Sequence, residues 1–172
     1  MSSARSARPP VSSLAAMRLL ALDVDGVLTD GRLNYGASGE MGKSFHARDG
    51  YGIKAVLAAG IEVAVISGRR SPAVLRRCKE LSIQHVLTGI EDKGVALGQL
   101  LATLGLKWSQ CTCVGDDEPD VPMLQQAGLA VAVADAHPCA VAAAHRRTQL
   151  PGGAGAVREV CDWLLSARAG RR

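Results

Sequence analysis

Short apolar runs alternate with helical patterns from residue 17 onward, and this alternation most constrains what the chain can fold into. Strands are expected at Arg18–Leu22, Glu62–Ile66, Gln84–Leu87, Cys111–Val114 and Leu129–Val133. Helices are expected at Gly50–Ala59, Pro72–Leu81, Lys93–Leu104, Pro119–Ala127, Pro138–Ala144 and Ala156–Ala167. Gly60, Gly105 and Gly128 stand as helix stops, and Pro72 suits a first helical turn. Most of the strand runs are apolar throughout, the pattern of strands covered on both faces. Repeated β–α units of this kind predict an α/β fold, a single parallel sheet with helices on both sides. Aromatic residues make up only 3% of the chain, so its core must be packed with Ala, Val, Leu and Ile. A further pair of short runs, Leu33–Tyr35 and Lys43–His46, reads as a β-hairpin around Gly36-Ala37-Ser38-Gly39.

At 172 residues the chain has room for one full domain. No apolar run approaches the ~20 residues a membrane span needs. Residues 11–16 are too short and polar for a signal-peptide core. The expected organisation is a disordered leader at 1–16, one domain at 17–167 and a flexible basic tail at 168–172, in a cytoplasmic protein. The formal net charge is +4, but Arg5, Arg8, Arg168, Arg171 and Arg172 lie in terminal segments without acids. Removing those five from +4 leaves the body at −1, so the basic balance reports the ends and not a nucleic-acid face. The five cysteines include no C-x-x-C pair, and neither a disulfide nor a zinc site is expected. Cys111 and Cys113 fall on one face of a strand and read as small core residues.

Polar groups that follow the strands carry the chemistry. Asp23 and Asp25, two residues apart at the end of the first strand, fall on the same side of the chain. Such a pair can share a metal ion and a phosphoryl group, one carboxylate attacking phosphorus while the other moves protons. A calcium loop would need ligands and a glycine where Val27 and Leu28 stand. A D-x-D transferase site would leave Ser67, Lys93 and Asp116 unexplained. Asp23, Ser67 and Asp116 each follow an apolar strand, so a parallel sheet would bring them to one edge, where such sheets bind ligands.

Each later residue also has a structural reading. Ser67 could hold a phosphate oxygen or cap the following helix. Lys93 could neutralise phosphate and nucleophile or sit in solvent. Asp116, Asp117 and Asp120 would repel one another without a cation, and hard oxygen donors point to magnesium. Asp116 is expected as direct ligand, with Asp117 behind it; Asp120 either joins them or complements a helix dipole. Lys43, Arg48, Lys54, Arg69 and Arg77 suggest a substrate carrying a second anion, Arg69 being best placed to clamp a carboxylate. His46 is either a donor to substrate or a surface histidine.

Together these residues resemble the haloacid dehalogenase-like phosphatases over about Met17 to Leu165. The general signature is Asp23-Val24-Asp25-Gly26, Ser67, Lys93 and Gly115-Asp116-Asp117. Three longer stretches, 45–53, 131–138 and 155–160, resemble the branch acting on acidic eight-carbon sugar phosphates. The resemblance implies a Rossmann-like sheet and an aspartyl-phosphate on Asp23, with Asp25 as acid and base. It implies Mg2+ on Asp23, the Asp25 carbonyl and Asp116, with Asp117 and Asp120 behind. Ser67 and Lys93 would hold the phosphoryl group. Substrate contacts would come from Asp25, His46, Ala47, Arg48, Asp49, Gly50, Lys54, Arg69, Arg77 and Lys93. The implied reaction releases 3-deoxy-D-manno-octulosonate from its 8-phosphate for lipopolysaccharide assembly. A nine-carbon, sialic-acid-type 9-phosphate is the alternative substrate, and a non-catalytic metal- and phosphate-binding module the alternative of another class. Alanine at 154 and histidine at 46 depart from the usual arginine and asparagine. Only 41 residues separate Asp25 from Ser67. That leaves no room for a cap domain, so the resemblance implies the capless type, a homotetramer whose hairpins cover neighbouring sites.

Overall fold

A computed structural model describes residues 14–170. Six parallel strands form one sheet in the order β5-β4-β1-β6-β7-β8. They are β1 (Leu19–Leu22), β4 (Glu62–Ser67), β5 (His85–Thr88), β6 (Cys111–Gly115), β7 (Leu129–Ala132) and β8 (Arg146–Arg147). A separate antiparallel hairpin pairs β2 (Asn34–Gly36) with β3 (Gly39–Gly42). The helices are α1 (Ala47–Ala58), α2 (Pro72–Glu80), α3 (Lys93–Thr103), α4 (Val121–Leu124), α5 (Pro138–Ala143) and α6 (Ala156–Ala169). The strand order grows outward from β1 in both directions, which makes the end of β1 a switch point where a ligand crevice opens.

Both faces of the central strands are buried, which explains their largely apolar runs, with Thr112 of β6 a buried polar exception. In β1, Leu20 and Leu22 face a core shared with Ile53 and Val56 of α1 and Val157, Val160 and Leu164 of α6. Leu19 and Ala21 face the opposite core, with Leu97 and Leu101 of α3 and Met123 and Leu124 of α4. Helices α1 and α6 approach closely at Gly52, where an added Cβ would lie 3.0 Å from the Cys161 Cβ.

Several boundaries differ from expectation for identifiable reasons. The hairpin's second strand is Gly39–Gly42 and not the expected Lys43–His46; it turns over Ala37-Ser38, with Gly36 and Gly39 ending the strands beside the turn. Phe45 does not belong to it and packs against the core. Helix α1 begins three residues early because His46 caps it, its Nδ1 accepting from the Arg48 N–H at 3.2 Å. The expected helix over 119–127 splits into a 3-10 turn, Glu118–Asp120, and the short α4. Pro119 and Pro122 have no N–H to continue a helical ladder. The two-residue edge strand β8 has no apolar pattern to announce it. Leu14 is buried in the core, so the expected leader boundary at 16 lies too late; residues 1–13 fall outside the described part. The expected tail is also corrected at Arg168. It belongs to α6, and its Nη2 donates to the Met17 carbonyl at 3.0 Å.

Candidate active site

The carboxyl ends of β1, β4 and β6 open into a cleft of about 360 Å³ lined by Asp23, Asp25, Ser67, Arg69, Lys93, Asp116, Asp117 and Asp120. Each residue arrives by a local rule. Asp23 directly follows β1, and the chain then kinks at Asp25 and Gly26, the latter at φ +91°. A Cβ on Gly26 would lie 2.0 Å from Asp116 Oδ2, so only glycine lets the two segments meet. Ser67 ends β4, its Oγ accepting from the Arg69 N–H at 3.1 Å. Lys93 opens α3 behind the cap Asp92, whose Oδ1 accepts from the Val95 N–H at 2.9 Å.

A buried charge cluster forms the floor. Lys93 Nζ donates to Asp23 Oδ1 and to Asp120 Oδ1, both at 2.6 Å. The other Asp120 oxygen accepts from the N–H groups of Asp116 at 2.8 Å and Asp117 at 3.3 Å. Asp120 therefore orients the lysine and the loop with both oxygens, a role the sequence left open. Burial, reinforced by Asp120 and opposed by Lys93, pushes the Asp23 carboxyl up to about 6. Burial together with Asp23 and Asp120 pushes Asp116 up to about 8. Asp23, Asp116 and Asp120 bring carboxylate oxygens within 4.8 Å of one another. Three carboxylates against one ammonium leave two negative charges uncompensated in a buried place, the charge of one divalent cation. With Asp120 already fully engaged, Asp23 and Asp116 are the carboxylates available to it. All-oxygen donors suit magnesium. The residues present fit such an ion.

Asp25 is held from above by the hairpin of its own chain. Lys43 Nζ donates to Asp25 Oδ1 at 2.5 Å and lies 3.4 Å from Glu40 Oε2. Its side chain is only 2% exposed. Glu40 in turn accepts from the Ser71 hydroxyl at 2.5 Å, the main reason its carboxyl lies below the usual range. On the other side Arg69 Nε lies 3.8 Å from Asp25 Oδ2, while its Nη1 donates to the Tyr35 hydroxyl at 3.2 Å. The sequence placed Lys43 among cations awaiting a substrate anion; in the fold its partner is Asp25. Glu40 and Ser71 were not anticipated, and no motif marks them.

The remaining substrate-contact expectations do not converge on this cleft within one chain. His46 caps α1. Asp49 is buried and caps α6, its Oδ1 accepting from the Arg158 N–H at 2.8 Å; burial raises its carboxyl while backbone N–H groups oppose the shift. Arg77 stacks over the Phe45 ring, 5.9 Å from its centroid, and crowds Gly50. These residues line a separate pocket of about 10 Å³, room for about one water. Ala47, Arg48 and Lys54 lie on α1 outside both pockets.

Comparison with known proteins fits this geometry. The profile of the haloacid dehalogenase-like hydrolases matches residues 90–155. The 3-deoxy-D-manno-octulosonate 8-phosphate phosphatase of Yersinia pestis is 48% identical over 92% of this chain and 84% of its own length. The chain belongs to this phosphatase family. The Escherichia coli K12 member is 49% identical over 88% of this chain and 81% of its own. Among solved structures, the family member from Moraxella catarrhalis, crystallised with a magnesium ion, a phosphate ion and a KDO molecule, superposes with a TM-score of 0.90. It is 40% identical, over 93% of this chain and 92% of that one. The cobalt-bound member from Haemophilus influenzae gives a TM-score of 0.89 at 42% identity, covering 91% and 92%. The expected fold class and superfamily are borne out.

Proposed function

We propose that this chain is a magnesium-dependent phosphatase that hydrolyses 3-deoxy-D-manno-octulosonate 8-phosphate to the sugar acid and phosphate, for lipopolysaccharide biosynthesis. The observation that carries the reading is the buried Asp23–Lys93–Asp120–Asp116 cluster at the switch point. It occurs in a chain 40% identical to the Moraxella enzyme that was crystallised with magnesium, phosphate and KDO.

A carboxylate oxygen of Asp23 attacks phosphorus, and the bond from phosphorus to the sugar oxygen breaks. Asp25 gives its proton to that leaving oxygen. Asp25 then takes a proton from water, whose oxygen attacks phosphorus and frees phosphate, restoring the Asp23 carboxylate. Lys93 holds Asp23 in line and offsets charge on the phosphoryl oxygens, and Ser67 with nearby backbone N–H groups binds one of them. Asp23, Asp116 and the Asp25 carbonyl would hold magnesium, which supplies positive charge to the phosphoryl oxygens when bound. Asp117 and Asp120 support that loop. Arg69, beside Asp25 at the cleft mouth, pairs with the sugar carboxylate.

The same reading includes a cytoplasmic homotetramer. No helix among the described residues is long and apolar enough to cross a membrane. Leu33, Tyr35 and Met41 leave an exposed apolar ribbon on a hairpin with no cap to cover it. His46 to Gly50, Lys54 and Arg77 lie outside their own chain's cleft, so any substrate contact from them would cross a subunit boundary, which closed assembly supplies.

Phosphate release from the eight-carbon acid 8-phosphate and from a nine-carbon acid 9-phosphate tests the proposal. The eight-carbon substrate should be favoured at least about tenfold in kcat/KM, about 1.4 kcal/mol. Asp23→Asn should abolish turnover of both. Preference for the nine-carbon substrate overturns the substrate assignment, and substantial turnover by Asp23→Asn overturns the mechanism.

A further inference from the structure

At the rim of the cleft, Asp117 of the catalytic loop meets two side chains of different chemistry that take no part in phosphoryl transfer. Asp117, in the loop after β6, meets His137 and Cys139 at the start of α5. Their donor atoms lie within 4.8 Å of one another. His137 Nδ1 is 3.0 Å from Cys139 Sγ and 3.8 Å from Asp117 Oδ1, and the sulfur is 3.9 Å from the same oxygen. A tetrahedral ion with bonds of about 2.0 Å to nitrogen or oxygen and about 2.3 Å to sulfur spaces its ligand atoms roughly 3.3–3.6 Å apart. The three observed edges each lie within about 0.5 Å of that spacing, so small side-chain rotations bring the atoms to one face of a tetrahedron.

The backbone beneath them is fixed. The His137 N–H donates to the Asp116 carbonyl at 2.7 Å, and the Ala140 N–H to the His137 carbonyl at 3.0 Å. The Nδ1 atom lies 3.0 Å from the Cys139 thiol and accepts a long 3.4 Å approach of the Cys139 N–H, and a metal ion would replace both contacts. The histidine and aspartate side chains are 63% and 58% exposed, so an ion reaches them from solvent without any opening. The other four cysteines are buried. A donor set of one oxygen, one nitrogen and one sulfur selects against magnesium, which takes oxygen ligands in octahedral array, and for borderline or soft divalent ions. Sequence spacing gave no hint, because the ligands are not arranged as C-x-x-C and come from segments some twenty residues apart.

We propose that Asp117, His137 and Cys139 form a second cation site, for a thiophilic divalent ion such as zinc, at the mouth of the catalytic cleft. Three protein ligands leave the fourth position to water or to a small anionic ligand. Binding displaces the thiol proton, so the affinity rises with pH. The inference stands on the ligand geometry and does not depend on which sugar phosphate is hydrolysed.

Cobalt(II) titrated into magnesium-saturated, full-length protein reads the site directly. A thiolate ligand gives cobalt a sulfur-to-metal charge-transfer band, which the all-oxygen cluster at Asp23 cannot produce. One equivalent per chain should raise the band, and zinc should then erase it by displacement. Cys139→Ser should abolish the band, and His137→Ala should weaken zinc binding about tenfold or more. Both variants should keep magnesium-supported phosphate release in zinc-free buffer. The site is overturned by a wild-type protein that gives no band, by a band that survives Cys139→Ser, or by equal zinc affinity in wild type and His137→Ala.

Discussion

Lys43 shows how one side chain can change meaning between sequence and fold. Its ammonium is nearly closed off from solvent, 2.5 Å from Asp25 and 3.4 Å from Glu40. An ion pair this enclosed sets the rotamer of its carboxylate, unlike the weak pairs of an open surface. Removing the cation leaves Asp25 and Glu40 side by side with nothing between them. In the proposed mechanism Asp25 moves the protons; general acid–base transfer contributes about 10²–10⁴-fold to rate, and misplacing that carboxyl would forfeit part of it. Lys43→Met is expected to lower kcat about ten- to a hundredfold while leaving magnesium affinity within about twofold. Steady-state kinetics across a magnesium titration separates the two effects. A kcat within about twofold of wild type would remove Lys43 from the acid–base apparatus.

Among the elements, the loop Pro151–Gly155 is the part that anchors the catalytic turn. A Cβ on Gly152 would lie 1.7 Å from the Gly26 carbonyl oxygen and 3.1 Å from that of Thr29. Gly153 donates its N–H to the Val27 carbonyl at 3.0 Å, and Gly152 to Asp135 Oδ1 at 2.9 Å. Backbone thus packs directly on backbone beneath Asp25, with no flexible side chain to yield. Gly152→Ala is expected to destabilise by on the order of 3 kcal/mol. In a chain of this size that lowers Tm by roughly 6–12 °C. Activity measured well below that Tm should fall as well, because the turn carrying Asp25 must shift. Thermal denaturation beside a phosphate-release assay checks both. An unchanged Tm would mean that the loop can move away freely.

At the scale of the whole molecule, the charge cluster ties stability to pH. Asp23 and Asp116 rise from 3.8 to about 6 and about 8 on folding, so the metal-free folded chain holds protons that the unfolded chain releases. Their contribution is largest below about pH 4 and is lost as pH climbs toward about 8. A bound cation replaces those protons, so the magnesium-induced rise in Tm should be small near about pH 6 and clearly larger near about pH 8. Burial holds His145 below its usual value, which acts in the opposite sense. The difference with and without magnesium at each pH is therefore the readout, and a shift independent of pH would exclude this linkage. Assembly is the other molecular property. If the proposed tetramer forms, Leu33→Asp with Tyr35→Asp should break it, seen by light scattering on a sizing column, and lower activity. A wild-type monomer at assay concentration with full turnover would end the case for shared sites.

Sequence by itself determined the layered fold and which residues meet at the candidate site's edge. Strands covered on both faces are dominated by apolar residues, so β1, β4, β6 and β7 were legible as such. Residues that directly follow strands of a parallel sheet share one edge, so Asp23, Ser67 and Asp116 could be placed together without coordinates. Tertiary structure alone decided the partners. Lys43 meets Asp25, Asp120 binds Lys93 and the loop N–H groups, and Gly152 packs on Gly26 across long stretches of chain. It also gave Asp49 to the cap of α6, and Arg168 to the helix that closes over Met17. Periodicity reports which face of an element is buried. It carries no information on which charged atom lies within hydrogen-bond reach of another, because that depends on packing between segments far apart along the chain.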